Sequence, residues 1–167
     1  MSTARLLTDA FDRVVESATD VVTGLDRERL AHRPAGRGNS IAWLLWHLTR
    51  VQDDHVSDLA GQRQLWLSDG WFDRFDLGLP PDDTGYGHSF EEASRVVADA
   101  PLLVGYLTAV TDATKAYLAT LTETDYDRVV DRSWDPPVTL GVRLISVVND
   151  TTQHVGQAAY VKGLPVE

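Results

Sequence analysis

Apolar residues recur at alternating steps of three and four along most of this chain, and that period selects helices over strands. Leu7, Phe11, Val14, Ala18 and Val21 set the first stripe, between Ser2 and about Val22, with Gly24 beyond it. Asn39 and Ser40 offer N-cap chemistry just before Ile41, Leu44, Leu45, Leu48 and Val51, which carry a second helix towards Leu59 and Gly61. Ser89 and Glu92 have the spacing of a capping box, and Phe90, Leu103, Leu107, Val110, Tyr117 and Leu121 carry a third helix that Pro101 breaks or kinks. A fourth runs from about Thr139 to Lys162, ahead of Gly163 and Pro165. Four such stripes without strand alternation predict an all-α, four-helix bundle.

The connections are unequal. Leu25 to Gly38 is polar and interrupted by Pro34, Gly36 and Gly38, and Thr122 to Val138 ends in Trp134-Asp135-Pro136-Pro137, which bars helix until Leu140. The longest, Gln62 to His88, scatters Trp66, Trp71, Phe72, Phe75 and Tyr86 among glycines and prolines. A loop of that length in a compact domain is usually functional or disordered, and its aromatics argue against disorder. They are expected to pack in the core or to form a lid. With 167 residues, 43% apolar and 24% charged, the chain has the size and mix of one domain, 1–167.

Several function classes drop out on composition. Twenty-five acidic against 15 basic residues give a formal charge of −10, a sign that repels phosphate backbones, so nucleic acid is not an expected partner. No cysteine is present, which removes disulfides, thiolate metal sites and a cysteine nucleophile, and any thiol chemistry must use a borrowed thiol. Met1 to Ala10 lacks the apolar run of a signal peptide and no stretch is long enough to span a membrane, so a cytoplasmic location is expected.

Asp150 and His154 are four residues apart in the fourth helix, about 40° apart on one face and one turn above the other. They border the apolar arc of Ile145, Val148, Thr151, Val155 and Ala158, alongside Gln157. His47 holds the matching edge position on the second helix, with Val51 and Asp54 stacked near its line. Helical bundles build metal sites in this way, from one residue on one helix and an i, i+4 pair on another. Two imidazoles and a carboxylate leave a coordination position open for water or substrate. Zinc suits these ligands, and nickel, cobalt, manganese or ferrous iron match the same ligand types. The competing reading is local: an Asp and a His one turn apart often just hydrogen-bond each other. His55, about 80° round the helix from His47, is expected to pack or to support the ligands. His32 and His88 lie in loops, where a surface or turn role is expected, with His88 as a further cap for the third helix.

The stretch Asn39-Ser40-Ile41-Ala42-Trp43-Leu44-Leu45-Trp46-His47-Leu48 resembles the second helix of the DinB-like bundle proteins, which include the mycothiol-dependent maleylpyruvate isomerases. Asp150-Thr151-Thr152-Gln153-His154-Val155-Gly156-Gln157 resembles their fourth helix, where a ligand precedes the last histidine by four. Leu79 to His88 is similar to a loop found in a branch of small, single-domain members of actinobacterial type.

The resemblance implies an up-down-down-up bundle, often dimeric, with one divalent ion on His47, Asp150 and His154. Many members carry His where this chain has Asp150. The isomerase branch carries a carboxylate there, one methylene longer, so metal identity is the more open question. The isomerase also has a C-terminal domain for which Lys162 leaves no room, and its own reaction is not expected. What the resemblance implies instead is transfer of a small thiol such as mycothiol to a small electrophile, with Gln157 orienting a ligand and the aromatic loop covering the site. Two alternatives stay open: a hydrolase of small molecules using Asp54 or His55 as base, and a non-enzymatic ligand-binding protein with a structural metal.

Overall fold

The structure is a computed structural model and describes residues 1–165. Its helices are α1 (Thr3–Val22), α2 (Arg27–Ala31), α3 (Ile41–Ala60), α4 (Leu65–Ser68), α5 (Trp71–Phe75), α6 (Phe90–Ser94), α7 (Ala100–Leu118) and α8 (Leu140–Gly163), and β1 (Val129–Asp131) pairs antiparallel with β2 (Val138–Thr139). The long helices start where side chains can satisfy free backbone N–H groups. Ser2 caps α1, Ser40 accepts from the Trp43 N–H at 3.1 Å, Asp99 accepts from that of Leu102 at 2.9 Å, and Thr139 caps α8. Gly61, at φ +65°, closes α3.

Polar contacts between helices fix the topology. Along α3 and α7, Asp53 meets Tyr106, Gln52 meets Thr114 and Leu59 meets Tyr117, so the two run parallel. The Lys162 ammonium at the end of α8 donates to the Asp20 and Thr23 carbonyls at the end of α1, and these two are parallel as well. His47, early in α3, faces His154, late in α8, which makes that pair antiparallel. The result is an up-down-down-up, all-α bundle, with α3 and α8 side by side. No helix among the described residues is long and apolar enough to cross a membrane.

The expected third helix is two helices. Ser89 and Glu92 do form a capping box, but α6 stops at Ser94 and Asp99 caps a fresh start, with Pro101 in the first turn of α7. A continuous helix would drive the Pro101 ring into the carbonyl of Val97, and the first turn is where a missing N–H does no harm. Short helices and the small β ribbon also occupy the connections. On α8 the buried arc passes through Leu144 and Val147, whereas Ile145 is exposed.

The 62–88 segment packs as a wall on α3 and α7. Trp66, Trp71 and Phe75 are buried around Tyr106, each ring between 5.3 and 5.8 Å from it. Enclosed by this wall on one side and by α7 and α8 on the other, every residue from Ile41 to Arg50 is buried. Most of the polar groups there are therefore paired internally, the Trp46 indole N–H and one Arg50 amino group being exceptions. Asp53 accepts from the Leu65 and Trp66 N–H groups at 3.0 and 2.8 Å and from the Tyr106 hydroxyl at 2.7 Å. Arg50, fully buried, donates to Gln64 and Tyr106 and lies 3.8 Å from the Asp53 carboxylate. Burial, above all, raises the Tyr106 hydroxyl well above its usual range, which keeps it a donor. Asp53→Ala is expected to leave Arg50 as a buried uncompensated cation and to destabilise the fold by about 3–5 kcal/mol, as read by urea unfolding.

Candidate metal centre

His47, Asp150 and His154 come together between α3 and α8, each offering a ligand atom, with all three atoms within 4.8 Å of one another. Around a tetrahedral zinc with bonds of about 2.0–2.2 Å the ligand atoms lie about 3.3–3.6 Å apart, so the three side chains need close in by only about 1 Å to hold a single ion. His47 is 6% exposed and stacks on Trp43, with centroids 4.6 Å apart and planes 14° from parallel. Asp150 and His154 border the core and are half-buried.

Hydrogen bonds settle which nitrogens are free. The Nδ1 of His47 faces the Thr84 carbonyl at 2.5 Å, and the Nδ1 of His154 faces the Asp150 backbone carbonyl at 2.8 Å. A carbonyl only accepts, so each Nδ1 carries a proton, and in the neutral rings each Nε2 presents a lone pair. That is the form in which imidazole binds a metal, with its other nitrogen anchored. Oδ2 of Asp150 is buried and without a hydrogen bond. Nδ1 of His154 lies 3.3 Å from it, but its proton is directed to the nearer carbonyl. A buried carboxylate oxygen with no donor is unfavourable by itself, and a cation would satisfy it. These residues therefore fit a divalent ion.

The same contacts set the charges. Burial lowers the His47 imidazole below its usual range, outweighing the Thr84 contact, and favours the neutral ligand form. For Asp150, burial acts upward, but the His154 imidazole beside it at 3.3 Å and the nearby His47 and His55 imidazoles bring the carboxyl below its usual value. For His154, burial acts downward and Asp150 overcomes it, so the imidazole is raised. Below that raised pKa the metal-free site holds a second proton on His154, which an ion must displace.

Several expectations are not met. Asp54 and His55 lie about two turns along α3 from His47, outside the cluster: Asp54 accepts from Gln64 at 2.7 Å and His55 is half-exposed, 3.9 Å from Asp54. Gln157 is exposed: it lies about 60° round the helix from His154, on the side away from the buried arc. The large rings of the 62–88 loop do not form a lid, since burying them against α7 removes more apolar surface from water. Tyr86 is 94% exposed. His32 is partly exposed at the end of α2, as expected of a loop position. His88 is not a surface residue and does not cap α6: its side chain is 5% exposed, between Trp43 and Asp83.

What covers His47 instead is backbone. Gly85, at φ +88°, lies so close that a Cβ there would be 2.9 Å from the Trp46 ring, 3.0 Å from His47 Nδ1 and 3.1 Å from the Trp43 ring. Sequence reasoning missed Thr84 and Gly85, because a carbonyl acceptor leaves no residue-type signature.

Comparison with known proteins agrees with the bundle fold. The family model described as the DinB superfamily matches residues 10–158, a span that includes all three clustered residues. Among solved structures, the chain is similar to the conserved protein of locus from Enterococcus faecalis, with 36% identity over 97% of this chain and 96% of that one and a TM-score of 0.91. No curated protein matches.

Two outcomes follow from the geometry. Gly85→Ala combines a strained φ with contacts too short on three rings, and should lower metal affinity on the order of 10–100-fold by withdrawing the Thr84 carbonyl from His47, as measured by competition with a chromogenic chelator. Zinc uptake at pH 6.5 should release more than about half a proton per ion, falling towards zero at alkaline pH where His154 is already neutral; calorimetry in buffers of different ionisation enthalpy reads this directly.

Proposed function

The chain belongs to the DinB superfamily, and from that premise we propose that it holds one divalent ion on His47, Asp150 and His154 and uses it to add a low-molecular-weight thiol to a small electrophile. The observation that carries the metal is the combination of two anchored imidazoles and an orphaned, buried Asp150 oxygen. The thiol is what the family resemblance implies; the chain has no cysteine of its own to supply one, and three protein ligands leave an open position that an external thiol could take.

When bound, the ion supplies positive charge that lowers the pKa of a coordinated thiol, so that its anion is present at neutral pH. The residues do the rest. His47 and His154 donate neutral lone pairs, and Asp150 neutralises one of two charges, leaving a net positive site that attracts an anionic sulfur. The Trp43 ring and the Thr84–Gly85 backbone keep water from the inner side of His47. A water-activating hydrolase has less support, since its candidate bases, Asp54 and His55, lie outside the cluster.

Metal analysis by mass spectrometry of untagged protein should find near one ion per chain, most simply zinc, and His47→Ala and His154→Ala should each reduce it to about a tenth or less. Consumption of mycothiol or bacillithiol with a reactive electrophile should then require the metal-loaded wild type. Metal retained in both variants would remove the ligand assignment, and a loaded protein that consumes no thiol would remove the transferase reading.

A further inference from the structure

Trp43, His47 and Arg50 share one face of α3, and each donates to the 83–88 segment in reverse order. The Trp43 indole donates to His88 Nδ1 at 3.1 Å, His47 to the Thr84 carbonyl at 2.5 Å, and the Arg50 Nε to the Asp83 carbonyl at 3.0 Å. The segment also binds itself. Oδ1 of Asp83 accepts from the Gly85 N–H at 2.7 Å, and the Asp83 carboxylate accepts from His88 Nε2 at 2.8 and 2.9 Å. Because an indole N–H only donates, His88 Nδ1 must be the acceptor, and its proton sits on Nε2, facing Asp83.

The Gly85 N–H and the Thr84 carbonyl are two ends of one peptide group. That group is planar and trans, so its N–H and C=O point in opposite directions. Holding the N–H therefore aims the C=O. We propose that Asp83 is a positioning residue for His47: its carboxylate grips the Thr84–Gly85 peptide by the N–H, aims the carbonyl at Nδ1 of His47, and so fixes the tautomer that leaves Nε2 free. His88 orients the carboxylate in turn, with Trp43 locking the ring of His88. This inference rests on the metal reading for its consequence, but the tautomer it assigns is a property of the metal-free chain.

The test compares the wild type with Asp83→Ala, His88→Ala and Asp83→Asn, the last keeping an acceptor for the Gly85 N–H. Long-range proton–nitrogen NMR of the metal-free proteins at pH 8 should show His47 protonated on Nδ1 in the wild type and in Asp83→Asn. It should show a mixture of tautomers in Asp83→Ala and His88→Ala, with zinc affinity down on the order of tenfold. A His47 that keeps its Nδ1 proton in Asp83→Ala, with zinc affinity within about twofold of wild type, would overturn the assignment. Should Asp83→Ala not fold, His88→Ala decides by the same two readouts. A wild type that takes up no zinc would end the metal reading alone, while the tautomer comparison still decides the role of Asp83.

Discussion

Because α3 is enclosed on all sides over Ile41–Arg50, none of its polar side chains in that stretch can fall back on water, and the rest of the molecule is arranged to meet them. The Arg50 and Asp53 charges would be prohibitive in a low-dielectric interior without close partners. Those partners are supplied by the 62–88 segment and by α7. Asp53 holds the first N–H groups of α4, and Arg50 holds Gln64 and the Asp83 carbonyl, so the segment is fastened near both ends by one helix face. Apolar burial of Trp66, Trp71 and Phe75 fills the space between.

The candidate centre inherits its order from this fastening. His47 lies one turn before Arg50, and its carbonyl partner, Thr84, follows directly on the residue that Arg50 holds. The α3 side of the centre is therefore dry and rigid. The α8 side is looser: the side chains of Asp150 and His154 retain 32% and 18% exposure, which leaves them as the route by which an ion and a ligand would enter. A preorganised donor on one helix and a more accessible pair on the other suits a site that must both hold a cation and exchange what lies on its open face.

The same division bears on chemistry. A bundle of this kind is a scaffold, and any chemistry it supports depends on the few side chains that converge at one place in it. Here the converging set is small, carries one negative charge, and lies in a chain whose formal charge is −10. A divalent ion would be a local positive point on a negatively charged molecule, attractive to a thiolate that the surrounding surface would otherwise repel.

By itself the sequence determined the four helical stripes, the cap at Ser40, the capping box of Ser89 and Glu92 and the edge positions of His47, Asp150 and His154, because helical period and ligand spacing are local properties of the chain. It also pointed to the bundle order through family resemblance. It did not determine that Pro101 starts α7 instead of kinking a longer helix, that the aromatic loop is a wall and not a lid, or that Asp54, His55 and Gln157 stand apart from the cluster. Nor did it mark Thr84 and Gly85, or the burial of His88. Each of these depends on which surfaces meet across the fold: a backbone carbonyl has no residue type, a ring goes wherever it removes most apolar area from water, and a side chain several residues from a ligand is turned towards or away from it only by the packing of α3 against α8.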